Sequence, residues 1–281
     1  MIFMNDAELL SIIENTNAML NRKGLDSDFL KSVGLTPIDI QGIKGYISPS
    51  NSPYVNHVGL ARLDGTNVDD TILRTIDIFK KENKSFTWIV GPNTTPADLP
   101  EHLIKFGFRL ADDVSEYGLV MSTKEKIKSY DTRIEVKDVK LDDLEKYVEV
   151  IASAFGNGMT TEAANTIVQM AKILNATERY KNKIKAYLAI DPQSGNEVGF
   201  SMMEMDTDDR YAILDGAGVL PSYRGRGIYR MMLSRRQEEA RDNGLEYLII
   251  HAVKNTSAPI CEKIGFRKVC EINLYSYLVE S

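Results

Sequence analysis

Arg224 and Arg226 alternate with Gly225 and Gly227 in the stretch VLPSYRGRGIY (residues 219–229), and Arg230 follows at once. A loop that joins a strand to the start of a helix points several free backbone N–H groups outward, and the helix dipole adds partial positive charge there. Glycines let that backbone approach phosphate oxygens closely, and the arginines add charge-assisted donors. The stretch fits a pyrophosphate; the competing reading is a solvated basic turn that merely caps a helix. Two other nucleotide motifs are excluded. No Gly-Lys-Ser/Thr is present to bind a γ-phosphate and magnesium. The dinucleotide fingerprint fails as well, because only Gly225 and Gly227 fit its glycines and its sixth position is Arg230.

A strand before and a helix after must hold this loop. YAILDGAGVL (211–220) is strand-like, although Gly216 and Gly218 weaken its propensity and signal close approach by another backbone or a ligand. A helix is expected from about Gly227 to Asn243, stopping at Gly244 and feeding the apolar strand EYLIIHAV (246–253). Upstream, RIEVKDV (133–139) has period-two apolar positions, and Leu141, Leu144, Val148, Ile151 and Phe155 stand at helical spacing. A second helix is expected over 161–174, then a hairpin of 184–190 and 198–205 around the turn DPQSGNE. A short helix over about 257–264 ends at Gly265, and 266–278 supplies one or two final strands. Hairpins beside a crossover helix argue for an α/β domain with a mixed sheet rather than a doubly wound one.

The first half repeats the end of this pattern. Residues 66–84 carry Ile72, Leu73, Ile76 and Phe79 on one helical face, with Asp69 and Asp70 early and Lys80 and Lys81 late, as the helix dipole prefers. The strand FTWIV (86–90) follows, then NTTPADLPEHLIKFGFRL (93–110). Beside NTSAPICEKIGFRKV (255–269), the shared skeleton is Asn-Thr-Thr/Ser, a short helix, then Lys-x-Gly-Phe-Arg. The polar segment STKEKIKSYDTR (122–133) looks like a linker. The expected division is therefore 1–126 and 131–281.

The chain of 281 residues is 43% hydrophobic and 26% charged, enough for two cores of modest size. A net charge of −6 gives no basic field for nucleic acid or an anionic membrane, so phosphate binding must be local. No run approaches the roughly 18–20 apolar residues of a membrane span, and Asp6 and Glu8 come too early for a secretory signal. The expected location is cytoplasmic. Cys261 and Cys270 have no CxxC spacing and no companion His, so they read as free thiols, with no metal site.

VLPSYRGRGI followed by a helix, an apolar strand and NTSAPICEKIGF resembles the GNAT superfamily of acyl-CoA-dependent N-acetyltransferases. That family's acetyl-CoA loop reads Arg/Gln-x-x-Gly-x-Gly/Ala, met here by Arg224 and Gly227 but not by Tyr229. Its later Tyr-Glu-Lys-Leu-Gly-Phe corresponds to Cys261-Glu262-Lys263-Ile264-Gly265-Phe266, with Asn255 before it. The resemblance covers about 131–281 and, more weakly, the first half. It implies tandem GNAT-like domains, each a central mixed, largely antiparallel sheet flanked by helices, the N-terminal copy degenerate. There the equivalent connection, ARLDGTNVDD, lacks Arg and places acids where phosphates would sit. A lost cofactor site is the expectation for that half; a divergent second acyl-CoA site is the alternative.

The resemblance further implies direct transfer of acetyl from acetyl-CoA, as co-substrate, to a primary amine of a small molecule or peptide. Arg224, Gly225, Arg226, Gly227, Ile228 and Tyr229 would take the pyrophosphate, Asn255 the pantetheine arm, and backbone N–H groups around Ala217 and Val219 the thioester carbonyl. The position where histone-type members carry a glutamate falls on Ile213, so that role does not transfer. By strand alternation Asp215 shares a face with Ala217 and Val219 and is a candidate base, with Glu204 as competitor. His251 reads as a satisfied or exposed histidine. Cys261 replaces the family's acidic Tyr; a thiol near pKa ~8.5 remains able to donate a proton, or it is a small buried hydrophobe. Tyr229 or Tyr275 could supply the missing hydroxyl. A homodimer is compatible with this reading, while nucleic-acid and membrane partners are not expected. The competing function is a catalytically weak acyl-CoA-binding or protein-interaction module.

Overall fold

The computed structural model describes residues 4–23, 25–128, 133–156 and 158–279. In chain order the elements begin with α1 (Asp6–Thr16), α2 (Ser27–Ser32), β1 (Thr36–Pro37), β2 (Lys44–Ile47), β3 (His57–Gly59), α3 (Val68–Lys81), β4 (Phe86–Val90), α4 (Leu99–Lys105), β5 (Arg109–Leu110) and β6 (Glu116–Ser122). They continue with β7 (Glu135–Val139), α5 (Val148–Phe155), α6 (Thr161–Ala176), β8 (Ile184–Ile190), β9 (Glu197–Asp206), β10 (Tyr211–Ile213), β11 (Ala217–Val219), α7 (Ile228–Asp242), β12 (Tyr247–Val253), α8 (Ser257–Ile264) and β13 (Arg267–Tyr277). Described residues within 1–118, 252–258 and 268–281 form one compact unit, and those within 119–251 and 259–267 the other. The sequence suggests two contiguous halves. The units differ from that division because the last strand pairs inside the first one.

In the first unit, β1, β2 and β3 are antiparallel neighbours, β3 runs parallel to β4, and β13 lies antiparallel to β4 and β5. α3 buries Val68, Ile72, Ile76 and Phe79, and leaves its early acids and late lysines at the ends the dipole favours. Phe79 stacks on Phe86 at 3.9 Å between ring centroids. Trp88, Phe86 and Phe108 complete the core with Tyr275 from β13. α1 opens with a capping box: Glu8 N–H donates to Asn5 Oδ1 at 2.9 Å, and Asn5 N–H to Glu8 Oε2 at 3.0 Å.

In the second unit the order is β12-β10-β9-β8-β7, all antiparallel except β10 and β12. The hairpin turn between β8 and β9 is set by Asp191, whose carboxylate accepts the Gln193 N–H at 2.9 Å, and by Gly195 at φ 75°. The helix expected from Leu141 begins as a 3-10 segment, Leu141–Tyr147, before α5. The expected linker is largely structured: β6 runs to Ser122, Thr123 Oγ1 donates to Leu245 O at 2.7 Å, and Ile127 is buried. Residues 129–132 of that segment lie outside the described residues.

The repeated skeleton has a repeated geometry. Both α4 and α8 end at a left-handed glycine, Gly107 (φ 91°) and Gly265 (φ 123°). Phe108 N–H then returns to Leu103 O and Phe266 N–H to Cys261 O, each at 3.1 Å. These are Schellman-type closures, and each buries its Phe.

Candidate active site

The strand expected over 211–220 is broken. Ile213 lies opposite Glu204 and Ala217 opposite Ser201 on β9, so one extra residue is accommodated between them. This is a β-bulge, and it turns Ile213 and Ala217 to opposite faces of the sheet. Ile213 thus leaves the face of Ala217 and Val219, and Asp215 sits, half-buried, within the bulge.

The bulge also ends a ladder. β10 pairs with β12 through Ile213 and Ile249, and Leu214 N–H still reaches Ile249 O at 2.8 Å. Beyond it β11 pairs with β9. Met202 N–H donates to Gly216 O at 3.0 Å and Leu220 N–H to Val198 O at 2.9 Å. The even positions of β11 thus turn their peptide groups to β9, and Ala217 and Val219 turn theirs to the side where the β12 pairing has stopped. Two backbone N–H groups are held there ready to donate.

Gly216 and Gly218 are explained by packing. A Cβ on Gly216 would lie 2.5 Å from Phe155 Cζ, and one on Gly218 2.5 Å from Ala154 O. The close approach that the sequence signalled is that of another backbone, the end of α5, at Gly218 and of the Phe155 ring at Gly216.

The Arg-Gly loop is folded upon itself. Pro221–Tyr223 forms a 3-10 turn, and Arg224 Nε donates to Val219 O at 3.1 Å. Arg226 Nη2 donates to Ser222 O at 3.0 Å, with its guanidinium 4.6 Å from the Tyr223 ring centroid. Gly225 has φ 76°, and a Cβ there would meet nothing within 4 Å, so conformation rather than space requires glycine. Gly227 (φ 79°) is the N-cap of α7, without a side-chain capping bond. Helix geometry leaves the N–H groups of Ile228 and Tyr229, in the opening turn, without partners in the helix. These donors, with exposed Arg224 and Arg226, fit a diphosphate.

The Tyr229 ring turns back from the loop. Its hydroxyl lies 3.7 Å from Cys261 Sγ on α8, restoring a hydroxyl beside the position where the resemblance lacks one. Tyr275 does not serve this role, being part of the first unit's core. Burial pushes the Cys261 thiol up to about 11, and burial with the neighbouring thiol holds the Tyr229 phenol well above its ordinary value. Cys261 and Cys270 are both free and buried.

Arg236 was not singled out from the sequence. It is fully buried, donating from Nη1 to Met202 O at 3.2 Å and from Nε to Met232 O at 3.3 Å. Among the described residues its Nη2 has no hydrogen-bond partner. A signal was present: Ile228, Met232, Arg236 and Ala240 recur every fourth residue and are all buried, so an arginine stands on the apolar stripe of α7. Glu204, buried on β9, faces the same side as Ile213 opposite it. His251 is half-buried in β12, and Asn255 is exposed in the turn before α8.

The corresponding strands of the first unit are tied together again beyond their ends. There β3 and β4 stay joined past their parallel pairs, through Thr95 N–H to Ala61 O and Leu63 N–H to Thr95 O, both 3.0 Å. A Cβ on Gly59 would lie 2.7 Å from Leu20 Cδ1, which occupies the space beside that strand. In the connecting loop Asp64 accepts both Thr66 N–H (2.9 Å) and Thr66 Oγ1–H (2.5 Å). Asp69, at the start of α3, is held below the usual carboxylate range by Lys105 and His102.

A mostly antiparallel sheet whose one parallel pair separates at a bulge, beside a glycine-rich loop opening a helix, is the arrangement of the GNAT fold. Residues 169–266, in the second half of the chain, match the model of the Acetyltransferase (GNAT) family. Solved structures share the fold over nearly the whole chain. A GCN5-related N-acetyltransferase from Kribbella flavida is 12% identical, with TM-score 0.63 over 94% of this chain and 95% of that one. A second, from Sphaerobacter thermophilus, is 14% identical, with TM-score 0.60 over 99% and 95%. A tandem GNAT protein from the clavulanic acid biosynthesis pathway is 9% identical, with TM-score 0.58 over 98% and 95%. No curated protein matches the chain significantly. The family supports acyl transfer in general. No helix among the described residues is long and apolar enough to cross a membrane.

Proposed function

We propose that the second unit is an N-acetyltransferase that moves acetyl from acetyl-CoA directly to a primary amine of a small molecule or peptide. One observation carries the reading: at the β10–β11 bulge the Ala217 and Val219 N–H groups face away from β9, next to a loop whose own donors open α7. Acetyl-CoA supplies the activated thioester. The loop backbone from Gly225 to Tyr229, with Arg224 and Arg226, binds the diphosphate. Ala217 and Val219 N–H groups polarise the carbonyl, where negative charge develops in the transition state. Asp215, half-buried at the bulge, takes the amine proton in preference to the more deeply buried Glu204. The Tyr229–Cys261 pair lies where the thiol departs.

One feature favours a second reading, a module that binds acyl-CoA without turnover. A thiol near 11 is a poor proton donor to a departing thiolate of ordinary pKa, ~8.5. Calorimetry with acetyl-CoA followed by a free-thiol release assay over an amine panel separates the two. Tight binding with no turnover on any amine would favour the binding module. Arg226→Glu and Gly227→Glu are expected to lower acetyl-CoA affinity at least about tenfold by placing an anion among phosphate donors. Arg226→Glu should melt with its parent, and Gly227→Glu, at a left-handed position, should be about 1 kcal/mol less stable. Unaltered affinity in both variants would sink the site.

A further inference from the structure

A buried guanidinium with an unused donor calls for a reason, since most buried polar groups are paired. Arg236 is such a group, fully buried on α7 with Nη2 unpartnered among the described residues. Its anchor is specific. Met202 gives its carbonyl to Arg236 Nη1 and its N–H to Gly216 O, so one β9 residue fixes both the guanidinium and the bulge. A second orphan lies on the same side of the sheet. A Cβ on Gly199 would be 3.3 Å from Met232 Cε of α7, so Gly199 and, two residues on, Ser201 face that helix. Ser201 Oγ, opposite Ala217, is buried without a hydrogen-bond partner among the described residues.

The groups that feel the Arg236 charge come from every element around it: Tyr229 on α7, Cys261 on α8, Tyr187 on β8 and Asp215 in the bulge. Glu262 on α8 also bears on Cys261, and Arg235 and Glu239 on Tyr187. Met203, not a charge, accepts the Tyr187 hydroxyl, at 3.6 Å. No carboxylate forms a salt bridge with Arg236 among the described residues. Tyr229 and Cys261, a phenol and a thiol that both stay protonated at neutral pH, feel its charge more than Asp215 does.

We propose that Arg236 is a positioning residue for the leaving group: its guanidinium, fixed to Met202 and Met232, places a positive charge behind the Tyr229–Cys261 pair and so stabilises a thiolate formed beside that pair. The inference rests on the acetyl-CoA reading above. In the transfer, the amine lone pair forms the N–C bond, the C–S bond breaks with its electron pair kept by sulfur, and the amine proton goes to Asp215 and on to solvent. The sulfur then bears a full negative charge. Neither neighbour readily neutralises it by proton donation, so a nearby fixed cation is the remaining source of stabilisation.

The test uses free CoA, needs no acceptor, and reads an ionisation rather than turnover. In a Cys261→Ser, Cys270→Ala background the protein has no thiol of its own, so the pH-dependent thiolate absorbance of bound CoA reports that sulfur alone. Bound CoA is expected to ionise about one pH unit or more below free CoA, a tenfold change in ionisation constant. Adding Arg236→Met should return it to the free value while changing CoA affinity by less than about threefold. Arg236→Lys, which keeps a charge, should keep part of the shift. Melting controls for folding: an apolar residue of similar reach removes a buried, incompletely paired charge, so Arg236→Met should melt no lower than its parent. A bound thiol that titrates like free CoA in the parent, or identically with and without Arg236, overturns the assignment. Failure of CoA to bind the parent at all overturns the acetyl-CoA reading itself, and this assignment with it.

Discussion

Cys261 shows how one residue type carries two meanings that only its surroundings separate. In the sequence its thiol is either a proton donor in place of a tyrosine or a small buried hydrophobe, and both readings fit its place before Gly265. In the structure it is fully buried and beside a phenol, and chiefly burial pushes it up to about 11. Cys270 is pushed up to about 11 as well, also chiefly by burial. The linkage has a definite sign. A thiol held above its unfolded value of ~8.5 contributes stability that is complete below that pH and is lost as pH rises through the folded value, up to roughly 2–3 kcal/mol per thiol. Unfolding free energy should therefore fall between about pH 8.5 and 11, and Cys261→Ala should fall less steeply over that window. Denaturant titrations at both ends of the window check it; parallel losses in the two proteins would show that the thiol does not ionise on unfolding. Tyr229 was legible only as a departure from a pattern. That its ring reaches Cys261 depends on α7 packing beside α8, which no local spacing encodes.

At the scale of elements, the sequence revealed the loop and the helix behind it because glycine, arginine and apolar periodicity are local signals. The bulge was not legible. Its extra residue is defined by what stands opposite on β9, and a run such as YAILDGAGVL reads as one strand whether or not its register slips. The glycines were the trace it left. Gly218 and Gly225 separate two reasons for glycine. A methyl on Gly218 would sit 2.5 Å from the Ala154 backbone, so Gly218→Ala should force α5 off the sheet and cost roughly 1–3 kcal/mol, as overpacking does. Gly225→Ala meets open space but a left-handed backbone, and should cost about 1 kcal/mol while weakening acetyl-CoA binding. Equal melting shifts for the two, with affinity unchanged in Gly225→Ala, would mean that neither packing nor loop conformation is as described.

For the whole molecule, the repeated Lys-x-Gly-Phe-Arg skeleton made two related halves readable, and the two left-handed closures at Gly107 and Gly265 bear out the repeat in the backbone. Where the last strand goes was not readable. The alternation in FRKVCEINLYSYL specifies a strand and its buried side but names no partner, because pairing is a contact between distant residues. In the structure Asn273–Tyr277 pair with Val90–Phe86, and Tyr275 and Ser276 also meet Leu110 and Arg109. Tyr275 joins the core, and the Tyr277 ring lies 5.7 Å from Phe86 and 5.1 Å from Phe108 between centroids. Ending the chain after Arg267 would take both rings away, at about 2 kcal/mol or more each, and leave one edge of β4 without its ladder. That loss is a large part of the stability of an ordinary domain. Such a truncated chain should lose hydrogen-exchange protection across β3, β4 and β5 before it does so in β8 and β9, whose own neighbours remain. Tyr275→Ala should show the same order of loss in a milder form. Retained protection in β4 of the truncated chain would mean that the first unit closes its sheet without its C-terminal strand.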